Sequence, residues 1–230
     1  RIPLQHRTGN GHVYCTRYMS ADEAQAILLK NVEGVPLAEP RHIQFATGKR
    51  KKAWHKNCVA IGLSGGFMEP LESTSIHMVQ TAITRLLSLF PDREFSQVNI
   101  DTYNAQSDEE YVRIRDFLIM HYKLNTHKES PFWKYCQKME VPKEVQQRID
   151  LYQSHGRIFR IGDELFAEAS WLQVMHGQGL QARSYHPLVD QRSKEDIAFF
   201  LAQVEKTILK CVDVMPTHQE FIKATCDANS

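Results

Sequence analysis

The sequence carries almost no net charge and has no long apolar run. Lys and Arg number 28 and Asp and Glu 27, so the formal net charge of the 230 residues is +1 with neutral His. This balance gives no electrostatic reason to expect nucleic acid or an anionic membrane as a partner. No apolar run approaches the roughly 18 residues of a membrane span, and the first residues do not resemble a secretory signal. We therefore expect a soluble protein without a membrane or nucleic-acid partner.

Cysteine is scarce and shows no metal or disulfide pattern. The five cysteines are Cys15, Cys58, Cys136, Cys211 and Cys226. They are widely separated, odd in number and never spaced C-x-x-C, so we predict neither a disulfide framework nor a zinc site, and a reducing cytoplasm fits best. The eleven histidines form no recognised ligand spacing, so no metal site is predicted. His77 is expected to pack or to line a pocket.

The composition is that of a folded chain. Hydrophobic residues make up 42%, charged residues 24% and aromatic residues 10%, which is enough to bury a core in one domain or two small ones. Arg1 stands where a start Met would be, and residues 1–4 lead directly into patterned sequence. We therefore expect a C-terminal piece of a longer protein.

The first sixty residues alternate and turn more than they follow a helical period. Residues 12–18 and 42–47 are predicted to be strands, and the second is followed by a turn at 48–50 and a return strand through Trp54. Ser20 is predicted to cap an intervening helix. The basic run at 49–52 falls at this turn, where a solvated turn is the alternative to a phosphate-binding patch.

A strand, a Gly-rich turn and a helix follow. Residues 58–63 form an apolar run typical of a buried strand, Gly65 and Gly66 form the turn, and apolar residues keep helical spacing from Ile76 until Pro91. Glycine removes a side chain where the backbone must approach a flat ligand or another chain. The sequence therefore predicts a strand-turn-helix unit able to face a ligand.

The remainder is predicted to be mainly helical. Ser107 is expected to cap one helix, and further helices are expected near 142–152, 166–175 and 193–214, with loops at 130–133 and 177–179. The fold class is α+β: residues 1–95 form a β-rich part and residues 96–230 a helical part. The boundary is a soft one, at 91–106.

The start of the helix after the turn is a candidate anion site. N–H groups in a first helical turn have no intrahelical acceptor and carry the positive end of the helix dipole, so Thr74 and Ser75 lie where a small anion can be held. The alternative is that Ser73, Thr74 or Ser75 only caps the helix. Glu72 is equally open: it is a helix-start acid, or a pocket carboxylate whose pKa burial would raise for proton acceptance.

Residues 64–74, Ser-Gly-Gly-Phe-Met-Glu-Pro-Leu-Glu-Ser-Thr, closely resemble the G-F-x-E-P-L-E-S-T segment of flavin-dependent tryptophan halogenases. The opening Ile2-Pro3-Leu4 resembles the end of that family's W-x-W-x-I-P motif. The resemblance extends to residues 5–14, 130–133 and 166–187, so it covers most of the chain.

The resemblance implies an FAD-dependent halogenase, an oxidoreductase. Reduced flavin, oxygen and a bound chloride or bromide would form hypohalous acid, which would reach a separate pocket and halogenate an indole-like aromatic substrate. The β-rich part would complete a monooxygenase-like flavin module, and the helical part would cap the substrate. The resemblance also implies a separate flavin reductase that supplies reduced FAD through diffusing flavin, and a homodimer is compatible with it.

The resemblance also implies roles for individual residues. Glu72 matches the catalytic glutamate. The residues matching the flavin-side segment are Gly65, Gly66, Phe67, Met68 and Pro70. Those matching the halide site are Ser73, Thr74 and Ser75. Those matching the substrate side are Phe166 and Trp171, for which ordinary packing between helices is the alternative.

Two positions depart from the family pattern. Ser75 stands where Gly is common, so its Cβ could alter the chloride/bromide preference. Phe166 stands where the free-tryptophan enzymes usually have Trp, and no counterpart of the residues that hold the amino-acid backbone precedes it. A simpler indole or another electron-rich arene is therefore an equal expectation to tryptophan.

The resemblance places two further parts upstream of Arg1: the Gly-rich motif for the ADP part of FAD, and a catalytic lysine. Gly9-Asn10-Gly11 cannot replace that motif, because it precedes a predicted strand rather than a helix. The 230 residues alone are therefore expected to be inactive. The alternatives are a flavin monooxygenase that uses no halide and a non-catalytic helical binding module.

Overall fold

Helices dominate the secondary structure. A computed structural model describes residues 1–4 and 6–226, so Gln5 of the halogenase-like N-terminal segment lies outside the described residues. The helices are α1 Ala21–Lys30, α2 Ser75–Ser88, α3 Gln97–Lys123, α4 Pro131–Lys138, α5 Lys143–His155, α6 Glu168–Gly177, α7 Lys194–Val214 and α8 His218–Thr225, with 3₁₀ turns at Gly62–Ser64 and Pro187–Gln191. They form two compact units, Arg1–Arg183 and Ser184–Ser230.

The strands are short and occur in antiparallel pairs. They are β1 Ile2–Pro3, β2 Thr8–Gly9, β3 Gly48–Lys49, β4 Trp54–His55, β5 Cys58–Val59 and β6 Gly66–Phe67. β1 pairs with β2, β3 with β6, and β4 with β5. The predicted β-rich first part is therefore present only as two-residue ladders, and the described residues are mainly helical.

The predicted strands at 12–18 and 42–47 are wrong, because no ladder partner lies beside them in the described residues. The predicted turn at 48–50 is also wrong, since Gly48–Lys49 is itself a strand paired with Gly66–Phe67. The hairpin instead joins β4 and β5. Its turn contains Lys56 at φ 54°, a conformation that sequence periodicity does not reveal.

Two helices, α1 and α7, start at serines whose side chains cap them. Ser20 accepts from the Glu23 N–H, as the predicted cap of α1 requires, and the Glu23 carboxylate accepts from the Ser20 N–H, which completes a capping box. Ser193 likewise accepts from the Asp196 N–H at the start of α7. α2 ends at Ser88, before Pro91, as its apolar spacing predicts.

The predicted cap at Ser107 and the predicted loop at 130–133 are both wrong. α3 starts ten residues earlier, at Gln97, and Ser107 is buried inside it, where its hydroxyl accepts from Arg85 Nη1 at 3.0 Å. Pro131 is at the first position of α4, where its missing N–H leaves no helical bond unmade. Ser107 therefore bonds an arginine inside a helix instead of capping one, and residues 131–133 belong to a helix and not to a loop.

α3 runs through the core of the first unit. Its buried side chains join three apolar clusters: Trp54, Ile100 and Tyr103; Met78, Ile114 and Leu118; and Phe117, Met120, Val145, Ile149, Tyr152, Trp171 and Met175. The segment before residue 95 and the helices after it therefore pack on the same helix. The functional division into residues 1–95 and 96–230 stays a prediction.

The second unit, Ser184–Ser230, is described through residue 226. It contains α7 and α8, and Thr217 with Glu220 forms a capping box at the start of α8. Within residues 1–4 and 6–226, no helix combines the length and the apolar character needed to cross a bilayer.

Candidate functional site

The glycine pair lies where two backbones meet. A Cβ on Gly65 would be 2.9 Å from the Ala60 carbonyl oxygen, and a Cβ on Gly66 would be 2.7 Å from the Gly48 carbonyl oxygen. Both positions therefore require glycine because of the chain's own packing. The expectation that the turn faces a flavin stays a prediction.

The rest of the predicted flavin-side segment, residues 67, 68 and 70, extends from β6 into a loop. Phe67 packs edge-on against Phe45, with ring centroids 5.2 Å apart. Met68 packs against the cluster that contains Met78 and Ile114. Pro70 is exposed, so of these side chains it is the one that presents a free surface.

The start of α2 presents unpaired amides. The first helical bond runs from the Met78 N–H to the Thr74 carbonyl oxygen at 3.0 Å, so the amides of residues 75–77 precede the ladder. Thr74 is the N-cap residue and is buried, yet its side chain makes no cap hydrogen bond. The capping alternative is thus not realised by Thr74, and these amides have no backbone acceptor among the described residues.

Ser73 gives this helix start an unusual approach. Its φ is 51°, in the left-handed region that non-glycine residues seldom occupy. Such strain is typical of functional segments and tight turns. Left-handed Ser73 followed by right-handed Thr74 aims successive N–H groups to one side, the arrangement that forms anion-binding concavities in proteins.

The carboxylate of Glu72 contacts a histidine. Glu72 Oε1 lies 2.9 Å from His121 Nε2, and 33% of the Glu72 side chain is exposed, against 15% for His121. The other ring nitrogen, Nδ1, lies 2.9 Å from the Phe117 carbonyl oxygen, one turn earlier on α3. Glu72 is therefore half-buried, and its carboxylate bonds to α3 as well as preceding the start of α2.

Glu69 binds the next residue of α3. The Tyr122 hydroxyl donates to Glu69 Oε2 at 2.8 Å, while Glu69 Oε1 is buried with no partner among the described residues. Burial, together with the hydrogen bond to this carboxylate, raises the pKa of Tyr122 well above its ordinary value. Tyr122 thus stays a protonated donor, and it fixes the loop that carries Glu72.

Phe166 and Trp171 lie on the other side of Phe117. The rings of Phe117 and Phe166 stack with centroids 3.8 Å apart and planes 17° apart. Trp171 is 1% exposed, donates from Nε1 to the Phe166 carbonyl oxygen at 3.0 Å, and has Arg148 over its ring. The surroundings of Trp171 are filled by the protein itself, whereas Phe166 is half-buried.

The structure therefore connects two predicted site residues through residues that sequence reasoning missed. Glu72 contacts His121, His121 packs edge-on against Phe117 with centroids 4.7 Å apart, and Phe117 stacks on Phe166. No sequence spacing indicates this series, since Glu72 and His121 are 49 positions apart. The local feature that could have indicated it is the spacing of Phe117 and His121, which places both side chains on the same face of a helix.

The other polar candidates are occupied by structural contacts. His77 Nε2 lies 3.3 Å from Glu110 Oε1, and Glu110 Oε2 accepts from Arg85 at 2.9 Å. In the basic run, Lys49 pairs with Asp108 and Arg50 donates to the Ser64 carbonyl oxygen. Among the residues the structure describes, no three His, Cys, Asp or Glu side chains are grouped to hold a metal ion.

Comparison with known proteins identifies the class to which this fold and site belong. The tryptophan halogenase family matches residues 1–194. The chain therefore belongs to the flavin-dependent tryptophan halogenase family, and the resemblance predicted from residues 64–74 is confirmed.

Particular relatives agree with this assignment. The chain is 33% identical over 241 residues to the tryptophan 6-halogenase ThaL of Streptomyces albogriseolus, covering 97% of this chain and 45% of ThaL. Two solved structures of flavin-dependent halogenases are also similar. Xcc4156 of Xanthomonas campestris has a TM-score of 0.88 at 41% identity, covering 93% of this chain and 43% of that one. BrvH of Brevundimonas sp. BAL3 has a TM-score of 0.86 at 43% identity, covering 92% and 43%. The chain thus spans less than half the length of these relatives.

Proposed function

We propose that this protein is an FAD-dependent halogenase that uses chloride or bromide to halogenate an indole-like aromatic substrate. Family membership supports the reaction class. The single observation that carries the site assignment is the half-buried carboxylate of Glu72, one turn from a helix start with free amides and linked through α3 to Phe166. Reduced flavin and oxygen would supply the oxidising equivalents that turn a halide ion into hypohalous acid.

The halide site is proposed at the start of α2. In the part of the chain that the structure describes, the amides of residues 75–77 have no backbone acceptor, and the left-handed Ser73 directs the chain so that neighbouring N–H groups converge. Amide donors and the positive helix end favour a small anion. The buried Thr74 would form the inner wall, and Ser75, being exposed, would form the outer one.

The flavin would face the loop beside this helix start. Pro70 is exposed, and it would offer its surface to a flat ring whose edge meets the anion. Gly65 and Gly66 would act indirectly, because their missing side chains let β6 and the preceding 3₁₀ turn pack closely. Residues 1–95 would then form the flavin and halide side, and residues 96–230 the substrate side.

Glu72 would act on the substrate side. Its carboxylate would orient the oxidised halogen species or accept the proton that the arene loses after halogen addition. The half-buried ring of Phe166 would contact an indole. Phe117 stacks on the Phe166 ring and Trp171 donates to the Phe166 backbone, so both hold Phe166 in place. A phenylalanine ring can stack on any aromatic substrate, so the proposal includes simple indoles as well as tryptophan.

The proposed setting is the cytoplasm, with FAD reduced by a separate flavin reductase. This partner follows from the proposed chemistry, since the reaction consumes reduced flavin at every turnover. A stable complex with the reductase is not required, because reduced FAD could diffuse between the two proteins.

The test is Glu72→Gln in the full-length protein, supplied with FAD, a flavin reductase and bromide. Because general acid-base groups contribute about 100-fold or more, we expect halogenated product to fall at least about 100-fold while flavin oxidation continues. Glu109→Gln is the matched control, since its carboxylate is 64% exposed on α3. Unchanged halogenation by Glu72→Gln would remove the assigned role.

The same assay separates halogenation from oxygen insertion. Product mass is measured by mass spectrometry with and without bromide. A brominated product that depends on bromide supports the proposal. An oxygenated product formed equally in both conditions would instead favour a flavin monooxygenase, and tight indole binding with neither product would favour a binding module.

A further inference from the structure

His121 uses both ring nitrogens. Nε2 faces Glu72 Oε1 at 2.9 Å, and Nδ1 faces the Phe117 carbonyl oxygen at 2.9 Å. A carbonyl oxygen only accepts hydrogen bonds. Nδ1 therefore carries a proton and donates a hydrogen bond to the Phe117 carbonyl oxygen. This bond fixes the orientation of the imidazole ring.

The orientation of the His121 ring determines which nitrogen faces the Glu72 carboxylate. With Nδ1 protonated, Nε2 is bound to the carboxylate through a single proton. That proton resides on Nε2, giving an imidazolium beside a carboxylate, or on Glu72, giving a neutral pair. In either form, Glu72 and His121 share one proton along a 2.9 Å line.

The imidazole is held more firmly than the carboxylate. His121 is 15% exposed, sits in the regular helix α3 and packs edge-on against Phe117, which is 2% exposed. Glu72, in contrast, follows Pro70 and precedes the left-handed Ser73 in a short non-helical segment. Within the described residues, His121 is the side chain to which Glu72 bonds. The rigid partner therefore sets the position of the flexible one.

We propose that His121 is a positioning residue for Glu72: the hydrogen bond at its Nε2 holds the carboxylate at the angle needed for halogenation, and the bond from Nδ1 to the Phe117 carbonyl oxygen keeps the ring from turning. This inference rests on the proposed function of Glu72. It assigns to the contact between His121 and Phe117 on α3 the task of aligning the reacting group.

Three substitutions in the full-length protein separate the properties of the ring. His121→Gln places an amide group where Nε2 lies and removes the donor at Nδ1. His121→Asn places its donor near Nδ1 and leaves Glu72 unbonded. His121→Phe keeps an aromatic ring against Phe117 and removes both donors. Circular dichroism melts of each variant, with Glu109→Gln as control, show whether the protein remains folded.

A positioning role predicts a specific pattern in steady-state halogenation. His121→Asn and His121→Phe should lower kcat by about 10- to 100-fold, the usual cost of a misplaced catalytic group, with little change in the KM for substrate. His121→Gln should recover most of kcat. If His121→Phe fails to fold, the comparison of His121→Asn with His121→Gln gives the same decision.

The remaining outcomes count against the proposal. Full activity of folded His121→Asn, with Glu72→Gln inactive, would overturn the role of His121 and leave the proposed function standing. If His121→Gln is as inactive as His121→Asn, a hydrogen bond to Glu72 at the Nε2 position does not restore activity, and the positioning role is wrong. Full activity of Glu72→Gln would remove the proposed function and this inference together.

Nitrogen NMR gives a readout that does not depend on turnover. The ¹⁵N signals of the His121 ring, assigned by their loss in His121→Gln, should show a protonated Nδ1. The Nε2 signal should shift in Glu72→Gln. An unprotonated Nδ1, or an Nε2 signal insensitive to Glu72→Gln, would contradict the hydrogen bonds on which the proposal stands.

Discussion

Arg148 lies 4.0 Å above the ring of Trp171 and donates from Nη2 to both carboxylate oxygens of Glu164, each at 2.8 Å. The side chains of Arg148 and Glu164 are 9% and 2% exposed. Arg148 also donates to the Phe159 carbonyl oxygen, so one guanidinium joins α5 to the loop before α6. This cluster supports the backbone of Phe166, the proposed substrate-facing residue.

The first prediction concerns this buried pair. Glu164→Gln leaves the guanidinium of Arg148 buried without a charge partner, and removing one member of such a pair usually costs about 3–5 kcal/mol. We expect a loss of that size in the free energy of unfolding, measured by urea denaturation. The double variant Arg148→Met/Glu164→Leu removes both charges and should be less destabilised than Glu164→Gln. Equal stability of Glu164→Gln and the parent protein would show that the pair is not desolvated as the structure indicates.

The second prediction uses the close approach of β3 and β6. In Gly66→Ala the new Cβ would lie 2.7 Å from the Gly48 carbonyl oxygen and 2.9 Å from the Lys49 Cα, so backbone must move. Overpacking of this kind typically costs about 1–3 kcal/mol, and we expect such a loss in urea unfolding. Gly48→Ala is the matched control on the same ladder, since its Cβ meets nothing within 4 Å. Equal stability of the two variants would contradict the close packing.

The third prediction is a pH dependence. Asp116 is buried, its Oδ2 has no partner among the described residues, and Arg115 binds Oδ1. Burial raises the pKa of Asp116, with the hydrogen bond from Arg115 opposing the change. Its folded pKa then exceeds its unfolded one, so its contribution to stability is greatest below the unfolded pKa and falls as pH rises through the folded value.

Asp116→Asn removes this titration. The stability of the variant relative to the parent protein should therefore improve from about pH 4 to about pH 7, the interval above the ordinary aspartate pKa. Urea unfolding at both values measures it, and Asp101→Asn, on the exposed part of the same helix, controls for the loss of a charge. A constant relative stability would show that the pKa of Asp116 is the same in both states, and a worsening one that folding lowers it; either would contradict the prediction.

The amino-acid sequence by itself determined some helix starts and ends and the family. The cap at Ser20, the apolar spacing in α2 and the run at 64–74 each depend on neighbours in the chain, so they could be predicted without the fold. Strand pairing could not, because a two-residue ladder such as β3 with β6 exists only when a distant segment supplies the hydrogen bonds.

Tertiary structure alone decided what surrounds the proposed reacting groups. Glu72 and Phe166 are far apart in sequence, and they are connected because α3 places His121 and Phe117 one turn apart, between them. Such contacts depend on how a 27-residue helix packs against two other segments. No local spacing encodes that packing, since burial and side-chain contact are properties of the assembled core.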